Sequence, residues 1–225
     1  MPIEDYYSNI KKEILNYFVI QSKKPFWQEM LKGSLSDEIY TYWVKVDYVY
    51  LVNFSKILAL GISKSKTTEE MKIMNDYLNW IINEEMAIHI EHAKKNGISE
   101  EELFKCEMGP IKYSYTRHEN NCANEGDLGV LLSGILACIV GWPIVANILL
   151  EGQKISDENK YKAWLSMYSE DKVLQEHTEK ILGIFNSYAS NGNAEYREKL
   201  KNNFFLGVKY ETMCCDAYYN MEEWI

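Results

Sequence analysis

LGVLLSGILACIVGWPIVANILL, residues 128–150, runs twenty-three residues without a charge. A segment of that length and polarity either crosses a bilayer or forms the buried centre of a helical bundle. Its flanks decide for the second reading. Glu125 and Asp127 precede it, Glu151 follows, and no basic cluster stands at either end to fix an orientation in a membrane. Ser133, Cys138, Pro143 and Asn147 interrupt its apolar character. The stretch reads as a core helix, with a kink or local disturbance expected at Pro143.

The segments around it have helical periodicity and punctuation. From about Glu4 to Gln21, Tyr7, Ile10, Ile14, Tyr17 and Phe18 fall at three- and four-residue spacing. In PFWQEMLKG, Pro25 suits a first-turn position and Gly33 a C-terminal cap. Ser36 can cap a helix running to about Lys64, and Thr67 or Thr68 opens another that stops at Asn96-Gly97. A short helix follows from Ser99, then one from Pro110 to about Asn120. Beyond the apolar helix, Ser156 caps a helix through ISDENKYKAWLSMYS, EDKVLQEHTEKILGIFNSYA makes the next, and the last spans about Ala194 to Trp224. No run alternates as a half-buried strand does, and there is no repeat or Gly-rich phosphate loop. The expectation is a single all-α domain over residues 1–225, a multi-helix bundle around a central apolar helix.

Composition narrows the function. Twenty-four Lys and Arg against thirty-three Asp and Glu give a formal charge of −9, which argues against non-specific nucleic-acid binding. No helix pairs a basic face with an apolar back, so a membrane-surface role is not expected either. The N-terminal residues do not read as a signal peptide. The five cysteines have no paired spacing, which implies reduced thiols and a cytoplasmic location, and no C-x-x-C suggests structural zinc.

Three residues stand out chemically. Asp47 lies in a helix interior in line with Tyr40, Trp43, Tyr50, Leu51 and Phe54. A carboxylate there is either a structural acceptor or the floor of an aromatic pocket that binds a ligand's NH groups. Cys138 is either a small buried hydrophobe or, with a polar partner, a nucleophile. Glu211 interrupts the mainly apolar stripe of the last helix, with Phe204, Phe205, Val208 and Tyr219 around it. Glu85, His89 and His92 offer a rival, a di-iron oxidase, but the last helix has no histidine to complete such a site.

The blocks PFWQEMLKGSLSDEIYTYWVKVDYVYLVNFSKILALGISKS, NEEMAIHIEH, KYSYTRHE, LLSGILACIVGW, YKAWLSMYS and KYETMCCDAYY, in this order between about Phe26 and Tyr219, resemble the TenA family of thiaminase II or aminopyrimidine aminohydrolase proteins. The resemblance implies the haem-oxygenase-like fold, a homotetramer, and hydrolysis of an aminopyrimidine or thiamin-degradation product in thiamin salvage without metal or organic cofactor. It makes Cys138 the nucleophile, Glu211 the proton-exchanging acid and Tyr50 a tyrosine that assists the thiol. It also implies that Asp47 anchors the pyrimidine and that Tyr115 and Tyr168 line its pocket. Two departures affect the site. Ala137 replaces the proline usual before the cysteine, and Trp142 replaces a pocket tyrosine, keeping an aromatic wall but losing the hydroxyl. Cys214-Cys215 stands where a Phe-Trp pair is usual. These departures motivate an alternative, a non-hydrolytic pyrimidine-binding or regulatory homologue.

Overall fold

The computed structural model describes residues 5–225; the expected helix start at Glu4 lies outside them. The described residues form eleven α-helices and no strand: α1 (Tyr6–Ser22), α2 (Pro25–Lys32), α3 (Asp37–Lys64), α4 (Thr68–Trp80), α5 (Met86–Lys95), α6 (Glu100–Phe104), α7 (Pro110–Glu125), α8 (Leu128–Leu150), α9 (Lys162–Glu170), α10 (Lys172–Asn191) and α11 (Ala194–Tyr219). A π-helical turn, Ile81–Glu85, joins α4 to α5 in one continuous rod.

The apolar stretch is α8, and it lies at the centre. Helices α7 and α11 make its closest neighbours, with α1, α9 and α10 covering the rest. Its apolar surface is therefore buried against other helices of the same chain, and no bilayer is required to cover it. The Asp127 side chain caps its start by accepting from the Val130 amide at 3.1 Å, and Tyr196 of α11 donates to the same carboxylate at 2.7 Å. Pro143 does not end the helix.

Close approach of α8 to its neighbours rests on small residues. A Cβ added at Gly134 would lie 2.5 Å from the Cys122 Cβ of α7, and one at Gly207 would lie 2.9 Å from the Ala137 Cβ of α8. The second contact sets the geometry of the site. Cys138 follows Ala137, and Glu211 stands one turn beyond Gly207, so the backbone contact of α8 with α11 brings thiol and acid into one layer.

Caps agree with their sequence signals. Ser36 accepts from the Ile39 amide, Thr67 with Glu70 and Ser99 with Glu102 form capping boxes, and Gly33 ends α2 at φ +71°. Three boundaries differ from expectation. Helix α7 continues past Asn120 to Glu125. The helix expected from Ser156 begins only at Lys162, because the intervening residues serve a tertiary purpose. Asn159 donates to the carbonyls of Met30 and Leu31 at 3.1 and 2.7 Å, capping the end of α2, and the Tyr161 hydroxyl donates to Leu35 at 2.7 Å in the turn that follows it. The last helix stops at Tyr219 rather than Trp224, since the chain turns back to cap α7. There Glu222 accepts from the Ile111 amide at 2.9 Å, and Trp224 donates to the Met108 carbonyl at 2.9 Å.

Candidate active site

Helix α3 turns Tyr40, Trp43, Asp47, Tyr50 and Phe54 inward. Asp47 is 4% exposed, and its two oxygens face two cationic side chains. Oδ2 accepts from His89 Nε2 at 3.1 Å, and Oδ1 lies 3.5 Å from Lys112 Nζ. The His89 Nδ1 faces the Glu85 carbonyl at 2.9 Å, an oxygen that can only accept. Both ring nitrogens of His89 therefore donate, which requires the imidazolium. Burial opposes that charge, but the hydrogen bond to Asp47 and its negative charge hold the His89 pKa above its ordinary value. Burial also works against ionised Asp47, and the Lys112 charge with the His89 hydrogen bond overcomes it, so its pKa lies below the ordinary range.

The segment before His89 contributes a second acid. Glu85 ends the π-helical turn Ile81–Glu85 and His89 stands one turn further on the same face, and both are buried. The Glu85 carboxylate accepts from the Tyr168 hydroxyl of α9. Burial and the Asp47 charge push its pKa up to about 7, against that hydrogen bond. His92 lies apart, 3.2 Å from the Thr41 hydroxyl. Glu85, His89 and His92 thus do not turn toward a common ion, as the di-iron reading requires; His89 instead holds Asp47.

Helix α7 contributes Lys112, Tyr115, Glu119 and Cys122 at intervals of three, four and three, one inward stripe. The Lys112 ammonium lies 3.3 Å from the Tyr50 ring centroid. Tyr50 stacks on Tyr115 with centroids 5.8 Å apart, and its hydroxyl donates to Glu119 Oε1 at 2.8 Å. Burial raises the Glu119 pKa to about 8, with the Lys112 charge and the Tyr50 hydrogen bond opposing.

Cys138 is half-buried, although Gly134, Ile135, Gly141 and Trp142, the residues one turn to either side, are all buried. Part of its surface therefore stays accessible on a face of α8 whose neighbours along the helix are closed by packing. Burial and the Glu211 charge push the thiol pKa well up, and Lys112 opposes. Glu211 is 1% exposed and its Oε1 has no hydrogen-bond partner. Burial raises its pKa, again against Lys112. The Tyr115 hydroxyl is likewise unpartnered. Trp142 stacks on Trp43 at 5.5 Å and lies 5.2 Å from Tyr168, closing one wall with Trp27 and Trp164.

All seven residues singled out in the sequence, Asp47, Tyr50, Tyr115, Cys138, Trp142, Tyr168 and Glu211, thus contribute to one buried region. Two hydroxyls are committed to protein partners: Tyr50 to Glu119 and Tyr168 to Glu85. Sequence reasoning missed Lys112 and Glu119, although their spacing from Tyr115 and Cys122 was the available signal. It noted Glu85 and His89 only as metal ligands.

The sequence model described as the TENA/THI-4/PQQC family matches residues 10–221. The chain is 30% identical over 203 residues to the aminopyrimidine aminohydrolase of Bacillus subtilis, covering 89% of this chain and 84% of that protein. A TenA family transcription regulator from Silicibacter superposes with a TM-score of 0.84 at 23% identity, covering 95% of this chain and 96% of that one. A domain with a heme oxygenase-like fold from Shewanella denitrificans gives 0.72 at 11% identity, covering 95% and 92%.

Proposed function

Because the chain belongs to the TENA/THI-4/PQQC family, with the haem-oxygenase-like fold, we propose that it is an aminopyrimidine aminohydrolase of the thiaminase II type. It cleaves the bond between the exocyclic methylene of a pyrimidine and an amine, giving hydroxymethyl pyrimidine in thiamin salvage. The observation that carries this reading is the partly accessible thiol of Cys138 within electrostatic reach of the buried Glu211 carboxylate, in a region that also holds the buried Asp47.

In this reading Asp47 binds the ring, oriented by His89, while Tyr115 and Trp142 form walls against its faces. An aromatic ring resists direct displacement at its methylene, so the reaction proceeds through covalent catalysis. The Glu211 carboxylate takes the Cys138 proton, and the thiolate adds to a ring carbon. Electron density pushed into the ring expels the amine, which leaves with the proton from Glu211. Water then adds to the exocyclic methylene and gives a proton back to Glu211. Departure of the thiolate restores the aromatic ring, and the Glu211 proton returns to sulfur. Burial raises the Glu211 pKa above the ordinary carboxylate range, which favours its role as proton donor to the leaving amine. The Tyr50 hydroxyl positions Glu119 and the Tyr168 hydroxyl positions Glu85, and both rings line the site. No step needs a metal or organic cofactor.

The same reading carries a homotetramer in the cytoplasm. Five unbridged cysteines support a reducing compartment, and sedimentation of the purified protein tests the assembly.

The direct assay supplies 4-amino-5-aminomethyl-2-methylpyrimidine, or thiamin, and follows hydroxymethyl pyrimidine. The wild type is expected to form it. Cys138→Ser is expected to form none while still binding the product, because the ring pocket is intact. Undiminished turnover by that variant excludes the nucleophile, and absence of product with both substrates in the wild type favours the non-hydrolytic pyrimidine-binding alternative.

A further inference from the structure

Lys112 is the one fully buried lysine among the described residues, 1% exposed, and its Nζ has no hydrogen-bond partner. Three aromatic rings surround the ammonium, with Tyr50 at 3.3 Å and Tyr115 and Tyr218 at 5.4 and 5.5 Å from their centroids. The Tyr50 face provides a diffuse cation–π attraction. The nearest carboxylate oxygen, Asp47 Oδ1, is 3.5 Å away, close enough for charge attraction and too far for a good hydrogen bond. An ammonium has three protons to donate, and leaving them unmet inside a protein is costly. The site thus holds a strong donor that the protein itself does not satisfy.

Asp47 is its counterpart. His89 occupies Oδ2, while Oδ1 has no hydrogen bond and faces Lys112. The two side chains together present an acceptor and a donor next to each other among aromatic rings.

We propose that Lys112 is a specificity-determining residue that donates to an acceptor on the ligand, next to the ligand donor that Asp47 receives. The ligand this pair selects is a planar heterocycle in its neutral form, with a donor and an acceptor on adjacent atoms of one edge. The proposal rests on the aminopyrimidine reading for the identity of that ring. There the amino group donates to Asp47, and the neighbouring ring nitrogen accepts from Lys112. A ring protonated at that nitrogen would set its positive charge against the ammonium, so the neutral ring is the one bound. A donor on the ring nitrogen also draws electron density out of the ring, which favours addition of a thiolate to it.

Calorimetric binding of hydroxymethyl pyrimidine, and of its aniline analogue with both ring nitrogens replaced by C–H, tests this in the wild type, Lys112→Met and Lys112→Gln. The wild type is expected to bind the analogue about ten- to a hundredfold more weakly, the range of a hydrogen bond to a charged group. Lys112→Met should lose most of that discrimination, and Lys112→Gln, which keeps a neutral donor, should retain part of it. Equal binding of the two compounds by the wild type overturns the proposal without any variant. So does the wild-type ratio persisting in a folded Lys112→Met. A wild type that binds neither compound overturns the pyrimidine reading itself, a distinct outcome.

Discussion

Replacing Asp47 by Asn removes the one negative charge that sits directly between two buried cations. Asp47 lies 3.1 Å from His89 and 3.5 Å from Lys112, and all three side chains are buried. At the Lys112 separation, an effective dielectric of about 20 gives an attraction of about 5 kcal/mol. Breaking a buried pair by removing one partner costs about 3–5 kcal/mol, because the other charge stays behind without compensation. For a chain of this size each kcal/mol moves the midpoint by about 2–4 °C. Asp47→Asn should therefore melt about 6–20 °C below the wild type at pH 6, followed by circular dichroism. The pH dependence gives the sharper test. The His89 pKa is raised in the folded protein, so its contribution is complete below about pH 6.5, the ordinary histidine value, and is lost as pH rises through the folded pKa. The Asp47 pKa is lowered, so its contribution is present above about 3.8 and lost as pH falls through the folded value. The gap between wild type and variant should be widest near pH 5–6 and narrow on both sides. A variant that melts within about 2 °C of the wild type at pH 6, or a gap indifferent to pH, refutes the charged His89–Asp47–Lys112 arrangement.

Other perturbations separate chemistry from packing. Glu211→Gln removes a proton donor and acceptor while keeping shape, so kcat should fall about 10²- to 10⁴-fold with KM little changed; steady-state kinetics check it. Gly207→Ala places a methyl 2.9 Å from Ala137 Cβ. Overpacking of about 1–3 kcal/mol should outweigh a helix-propensity gain of about 0.5–1 kcal/mol, lowering the melting temperature and kcat together. A stabilised variant with unchanged kcat would show that the two helices do not set the thiol–acid distance. The Glu119 pKa is raised to about 8, so the wild type should lose stability as pH rises from about 4.5 through that value. Glu119→Gln should flatten this decline in melts between pH 5 and 9.

The helical architecture was legible because the signals that make helices are local. The uncharged stretch 128–150, the Ser36 and Thr67 caps and the Gly33 stop act within a few residues of themselves. Boundaries failed where a distant partner competes for the same groups. Asn159 caps α2 and Tyr161 bonds the turn after it, which delays α9, and Glu222 caps α7 and so ends α11 early. The site was legible in its isolated oddities, a carboxylate in each of two apolar stripes and a thiol in a third. What periodicity does not encode is which charge answers which. Lys112 lies 65 positions from Asp47 in the chain, and only the packing of α7 against α3 brings them to 3.5 Å. Glu85 and His89 share one helix face in NEEMAIHIEH, so the pair reads there as metal ligands, and only the packing against α3 and α9 shows that they answer Asp47 and Tyr168 instead.

A crystal structure of Cys138→Ser with hydroxymethyl pyrimidine decides whether Asp47, Cys138 and Glu211 border one ligand chamber. The ring should lie between Asp47 and residue 138, with its amino group on the carboxylate and its hydroxymethyl group toward Glu211. A ring bound elsewhere, or a void filled by repacked side chains, contradicts it.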